Sequence, residues 1–191
     1  MIFADIDEFW VASDMLNTDL NLESVIDSYF VKYKKAASLA VNWLMFGSSG
    51  NKTIPRGEVL ENYKNCASDD FERNMMMKAC VKPERVIGFK DPHLPLEALG
   101  YDTVNTDGDK VELPCHPLPN DRRIRIHHYF HKSFEDFEKK ANKGFADRLD
   151  RYQMDIFEYY DRNECYNDLA WQLKKEYMKE DRDNAEYKQS F

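Results

Sequence analysis

The chain has 191 residues and a net charge of -8, with 32% charged and 42% hydrophobic residues. This length and balance describe one globular domain with a substantial core, and the acidic excess excludes the broad basic footprint of a nucleic-acid-binding protein. No run approaches the ~20 apolar residues of a membrane span. No CxxC pair occurs among Cys66, Cys80, Cys115 and Cys165, which argues against a zinc site and leaves free thiols or disulfides.

In chain order, Met1 to Ala4 read as a buried strand ending at Asp5. Leu22, Val25, Ile26, Tyr29, Phe30 and Tyr33 follow helical spacing, with Asn21 as the cap and Glu23 in the first turn. "SLAVNWLMF" (38–46) reads as a central strand and "GSSGN" as a loop. "GEVLENYKN" and "NMMMKACVKPERV" read as extended segments, the latter ended or edged by Pro83. Residues 91–120 are loop-rich, with a hairpin at "TDGDK". "RIRIHHYF" alternates like a strand. Ser133 and Asp136 form a capping-box start for a helix. A last helix covers about 168–179 and a polar tail follows. The expected organisation is one α/β domain over residues 1–180 and a tail at 181–191.

The stretch "DIDEFW" (5–10) carries the chemistry. Residues i and i+2 of a strand point to one side, so Asp5 and Asp7 would converge at the end of the first strand. Ligands bind outside that end in open α/β sheets, and paired carboxylates there suit a hard divalent cation shared with phosphate. Two chemistries use this arrangement. Asp5 could be the nucleophile of a haloacid-dehalogenase-type phosphatase, or the acids could anchor a metal that clamps a nucleotide-sugar diphosphate.

The later segments favour the second. "VNWLMFGSSG" (41–50), "MKACVKPERV" (77–86), "DPH" (91–93), "IRIHHYFHKSFEDFEKKANKGFAD" (124–147) and "YDRNECYND" (160–168) follow "DIDEFW" in that order. The succession resembles the C-terminal half of GT-A type glycosyltransferases of the family 2 and family 92 group. "KACV" replaces the family's "KSIV". His127 stands for Asn, His131 for Thr, and Lys143 for Arg.

The resemblance implies the C-terminal portion of a GT-A (Rossmann-like) domain, a mixed sheet with flanking helices. It implies transfer of a sugar from a nucleotide-sugar donor to a glycan acceptor, with inversion, and a Mn²⁺ or Mg²⁺ cofactor. Asp5, Asp7 and His128 would hold the metal, with Asp5 also facing the nucleotide. Lys132, Arg123 or Arg125 would neutralise phosphate and Trp43 would stack on the acceptor sugar; Glu58, Glu61, Asp69 and Asp70 are candidates for the general base, of which Glu61 matches an acidic position of the family. His93 is similarly placed in the family and receives no role. The family sets nucleotide-binding βα units before this motif, and only four residues precede Asp5 here. The expectation is therefore a partial domain with an exposed sheet edge that a partner chain covers. A non-catalytic remnant that binds a partner or glycan is the third reading. Family relatives act in the bacterial cytoplasm or the Golgi lumen, and the first is the expected compartment.

Overall fold

The structure is a computed structural model and describes residues 1–91, 93–112, 114–144 and 152–189. Strand β1 (Glu8–Ala12) leads through a 3₁₀ turn (Ser13–Met15) into helix α1 (Leu22–Lys32). Strand β2 (Ala36–Met45), helix α2 (Val59–Asn62), strand β3 (Asn65–Cys66) and strand β4 (Met77–Val81) follow. A hairpin, β5 (Val86–Asp91) and β6 (Leu94–Glu97), precedes β7 (Asp102–Val104) and β8 (Ile124–His128). The C-terminal part holds α3 (Phe134–Lys143), α4 (Asp155–Tyr160), β9 (Cys165–Tyr166) and α5 (Leu169–Gln189).

The main sheet is mixed, in the order β1-β8-β2-β4. β1 runs antiparallel to β8, with Glu8 opposite His128. β8 runs parallel to the second half of β2, with Trp43 opposite Ile126. The first half of β2 pairs with β7, also in parallel, and its other edge carries β4 in antiparallel. A strand with neighbours on both edges and layers on both faces must be apolar throughout. The run "AASLAVNWLM" meets that demand apart from Ser38 and Asn42, which are buried with hydrogen-bond partners in Thr103 and in the Met75 and His116 carbonyls, and only Trp43 is less than fully buried.

Alternation along β8 sorts the two faces. Ile124 and Ile126 join Val25, Ile26, Tyr29 and Phe30 of α1 in the largest core cluster. Those four helix residues recur at helical spacing, and burying each apolar side chain contributes roughly 1.5–3 kcal/mol. Asn21 starts α1 by accepting the Ser24 amide at 2.9 Å. On the other face Leu44, Phe46, Tyr63, Cys66 and Tyr129 form a second cluster, with Phe9, Val59 and Leu60 packed against it.

The α1 helix, the central strand, the strands at β4 and β8, the "TDGDK" turn and the Ser133 capping box match expectation. In the turn, Val104 bridges Lys110 in antiparallel and Gly108 takes φ +94°. Four elements differ. Met1 to Ala4 form no regular strand and lie along the outer edge of β4 instead. There Met1 exchanges backbone hydrogen bonds with Val81, and Ile2 bridges Cys80. "GEVLENYKN" holds a one-turn helix. The Asn62 side-chain amide donates to the carbonyls of Arg56 and Glu58, both at 2.9 Å, and closes the turn. β5 and β6 form a hairpin in a segment read mostly as loop. The last helix continues past residue 180 to Gln189.

Candidate functional site

"DIDEFW" is a turn that feeds a strand. The Glu8 amide donates to the Asp5 carbonyl, and the Asp5 amide donates to Glu8 Oε2, each at 3.0 Å. Asp5 and Asp7 therefore lie ahead of β1, where the i, i+2 rule does not act, and their carboxylates go to different partners. Asp5 Oδ2 is 2.7 Å from Lys78 Nζ. Asp7 Oδ1 is 3.8 Å from His128 Nε2, and Asp7 Oδ2 is 3.4 Å from Lys140 Nζ. The expected three-ligand set of Asp5, Asp7 and His128 is not assembled. Nor does Asp5 stand at a strand's end, the premise of the phosphatase reading.

Lys78 is the one charge in the apolar strand β4. Its side chain is 4% exposed and lies between Glu8, 0% exposed, and Asp5, 70% exposed, at 2.7 Å from each. Burial pulls the ammonium's pKa down, but the hydrogen bonds it donates to the two carboxylates outweigh it and the net direction is up. The Lys78 hydrogen bond in turn lowers the Asp5 pKa against the opposing effect of burial. The two pairs differ in worth. The exposed Asp5 pair is screened and contributes about 1 kcal/mol or less. Breaking the enclosed Glu8 pair strands a buried charge, which costs about 3–5 kcal/mol.

His128 is enclosed by aromatic rings, with Trp43 at 4.3 Å and Phe130 at 5.9 Å between centroids. Burial pushes its pKa down to about 4 against the attraction of Asp7, so the ring is neutral at neutral pH. The 3.8 Å separation from Asp7 is too long for a hydrogen bond. Lys140 is brought in by α3, whose start is set by Ser133 and Asp136 in a reciprocal capping box. Its ammonium donates to the Phe130 carbonyl at 2.7 Å and sits 3.9 Å above the Phe130 ring. Burial lowers its pKa; Asp7 opposes this and nearby Lys132 adds to it. Trp43 is half-buried, with His93 on its other side at 5.6 Å. His93 Nδ1 is 2.7 Å from the Met77 carbonyl. Asp5, Asp7, Trp43, His93 and His128 thus meet in one cluster, and Lys132 acts on it only through its charge, felt at Lys140.

Other expected residues stand elsewhere. Arg125 projects from the opposite face of β8, where it bonds the Trp43 carbonyl and reaches Asp69 at 3.4 Å. Arg123 is held by Asp14 and Asp121. Both line a cavity of about 310 Å³ with Arg122, His127, Cys66 and Cys165. They are committed to carboxylates away from Asp7. Glu61 is exposed on α2. Among the described residues no hydrogen bond or ion pair joins it to the cluster.

Two motifs are explained by each other. The Asp161 carboxylate accepts from the Ser48 backbone amide at 2.6 Å, the Ser48 hydroxyl at 3.2 Å and the Asn163 side-chain Nδ2 at 2.8 Å. His131 Nε2 lies 3.4 Å from it. The Ser49 amide donates to Asn163 Oδ1 at 2.8 Å. A Cβ at Gly47 would lie 2.2 Å from the Arg162 carbonyl oxygen. "GSSG" and "DRN" therefore form a polar lock between the end of β2 and the chain after α4.

Lys78, Lys140 and Glu8 are the site residues that sequence reasoning left without roles. A signal for Lys78 was present, since one lysine inside "MMMKACV" must find an anion once the strand is buried. Lys140 carried none, because its i, i+4 neighbours read as an ordinary solvated helix face.

Among the described residues no group of three or more His, Cys, Asp or Glu side chains is placed to hold a metal ion, and no helix is long and apolar enough to cross a membrane. No known family, curated protein or solved structure matches this chain.

Proposed function

We propose that this chain belongs to a metal-dependent glycosyltransferase, which moves a sugar from a nucleotide-sugar donor to a glycan hydroxyl with inversion. The supporting observation is the meeting of Asp7, Trp43 and His128. They come from three segments far apart in the chain, and the motif order had singled out all three. The residues fit a divalent ion in part. Asp7 Oδ1 and His128 Nε2 are 3.8 Å apart, a spacing that two ligands of one ion at about 2.0–2.2 Å each can span. The imidazole is neutral, as a ligand must be. Asp5 does not fit, because Lys78 holds its carboxylate. Oxygens of the substrate diphosphate would complete the shell.

Bound there, the ion would neutralise charge on the leaving diphosphate. The chain's own residues do the rest. Lys140 and Lys132 supply positive charge beside Asp7 for the phosphates. Lys78 holds Asp5 and Glu8 so that the turn keeps Asp7 facing His128. The resemblance assigns Trp43, packed against His128 and His93, to the acceptor sugar, and Glu61 on α2, apart from the cluster, to deprotonation of the acceptor.

Calorimetry with Mn²⁺ and UDP, then with Mn²⁺ and UDP- or GDP-sugars, tests the reading. Binding should require Mn²⁺ and fall at least tenfold in D7N and H128A. Metal-independent binding, binding indifferent to both substitutions, or no binding would overturn it.

A further inference from the structure

The short ladder between β3 and β9 sets Cys66 directly opposite Cys165. Directly opposed residues of an antiparallel pair project to the same face. Their Cα atoms stand about 4.5 or about 5.5 Å apart, depending on the pair type. Both values lie inside the window of about 4.4–6.8 Å that a disulfide accepts. The two side chains also line the same cavity, and both thiols are free. Cys80 and Cys115 lack this relation. Cys80 faces Leu39 in the main sheet and bridges Ile2, while Cys115 bridges Met76.

We propose that Cys66 and Cys165 form a structural disulfide when the chain meets a small disulfide oxidant such as oxidised glutathione. Cys165 is exposed and Cys66 buried, which sets the order of events. The Cys165 thiolate attacks one sulfur of the oxidant and breaks its S–S bond. One glutathione thiolate leaves, and Cys165 is held in a mixed disulfide. Cys66 then gives its proton to solvent and attacks Cys165 Sγ, and the second glutathione thiolate leaves. Two protein thiols are oxidised and one oxidant disulfide is reduced to two thiols. Burial pushes the Cys66 thiol up to about 12, so its thiolate is scarce and the second step is the slow one.

The bond would fall where the fold is thinly tied. β3 and β9 are two residues each. Around them the Gly47 amide bonds the Asn65 carbonyl and the Asn167 amide bonds the Lys64 carbonyl. A covalent tie at Cys66 and Cys165 would fasten the start of α5 and the Asp161 segment to the loop after β2. It closes a loop of about 100 residues, which should raise Tm on the order of 10 °C. The inference stands on the β3–β9 register and is independent of the glycosyltransferase reading.

The test incubates the purified chain with a mixture of oxidised and reduced glutathione at about pH 8. Titration with Ellman's reagent in denaturant should then find two free thiols where the reduced chain has four. Non-reducing tryptic mapping should join peptide 65–73 to peptide 163–174, and dithiothreitol should reverse both the link and the rise in Tm. C165S should abolish the link, while C80S and C115S leave it intact. Because Cys165 is exposed, C165S carries the test even if C66A fails to fold. Four free thiols at equilibrium, a link through Cys80 or Cys115, or a glutathione adduct on Cys165 that never resolves would overturn the proposal.

Discussion

Replacing Lys78 by methionine probes the cluster most directly. The substitution keeps the length of the side chain and removes its charge inside β4. Two carboxylates lose their partner, but they do not suffer equally. Asp5 is 70% exposed and rehydrates. Glu8 is 0% exposed, and its Oε1 already lacks a hydrogen-bond partner. The cost should therefore follow Glu8 alone, at about 3–5 kcal/mol for an uncompensated buried charge. With a urea m-value of about 2 kcal/mol/M, a loss of about 4 kcal/mol lowers the unfolding midpoint by about 2 M. Urea titration followed by circular dichroism reads this shift. The double variant E8Q/K78M should recover at least half of it, because the stranded charge is gone, and D5N alone should cost about 1 kcal/mol or less. A midpoint unchanged in K78M, or a D5N loss as large as that of K78M, would refute the assignment of the burden to the enclosed pair.

Three further outcomes are expected. D161N should cost about 2 kcal/mol at pH 7, since Asp161 accepts charge-assisted hydrogen bonds from Ser48 and Asn163. Burial raises the pKa of this carboxyl, but His131, Ser48 and Asn163 outweigh it and hold it well below the usual range. Its contribution is thus complete above the unfolded value of about 3.9 and is lost as pH falls toward the folded value. The gap between wild type and D161N should narrow below about pH 4 in acid titrations, and a gap constant from pH 7 to pH 3 would contradict this. G47A should destabilise by about 1–3 kcal/mol in thermal melts, because the new methyl meets the backbone carbonyl of Arg162, which has no rotamer to yield. S133A removes the α3 cap and should cost about 1 kcal/mol. If Lys140 depends on that helix start, Mn²⁺-dependent UDP binding should weaken in the same variant.

Much was legible in the sequence because it depends on local pattern. The spacing of Val25, Ile26, Tyr29 and Phe30 is enough to define α1 and its buried face. The largely apolar run at 38–46, interrupted only at Ser38 and Asn42, points to a strand covered on both faces. Ser133 and Asp136 write the start of α3 into four residues. The motif order grouped Asp5, Asp7 and His128 as metal ligands and set Trp43 apart for an acceptor; in the structure Asp7 and Trp43 both lie beside His128, while Asp5 pairs with Lys78.

Tertiary structure alone decided what the acids face. The sequence places Asp5 and Asp7 two apart, but the turn ahead of β1 sends one to Lys78 and the other toward His128 and Lys140. Those partners lie about 70 to 130 positions away along the chain, and only sheet registry and the docking of α3 bring them in. Arg123 and Arg125 looked like neighbours of His128, yet the two-residue period of β8 turns Arg125 to the opposite face. Cys66 and Cys165 carry no local signal at all. Their opposition exists only because β3 and β9 pair in one register, and a one-residue slip would set each cysteine against a different neighbour.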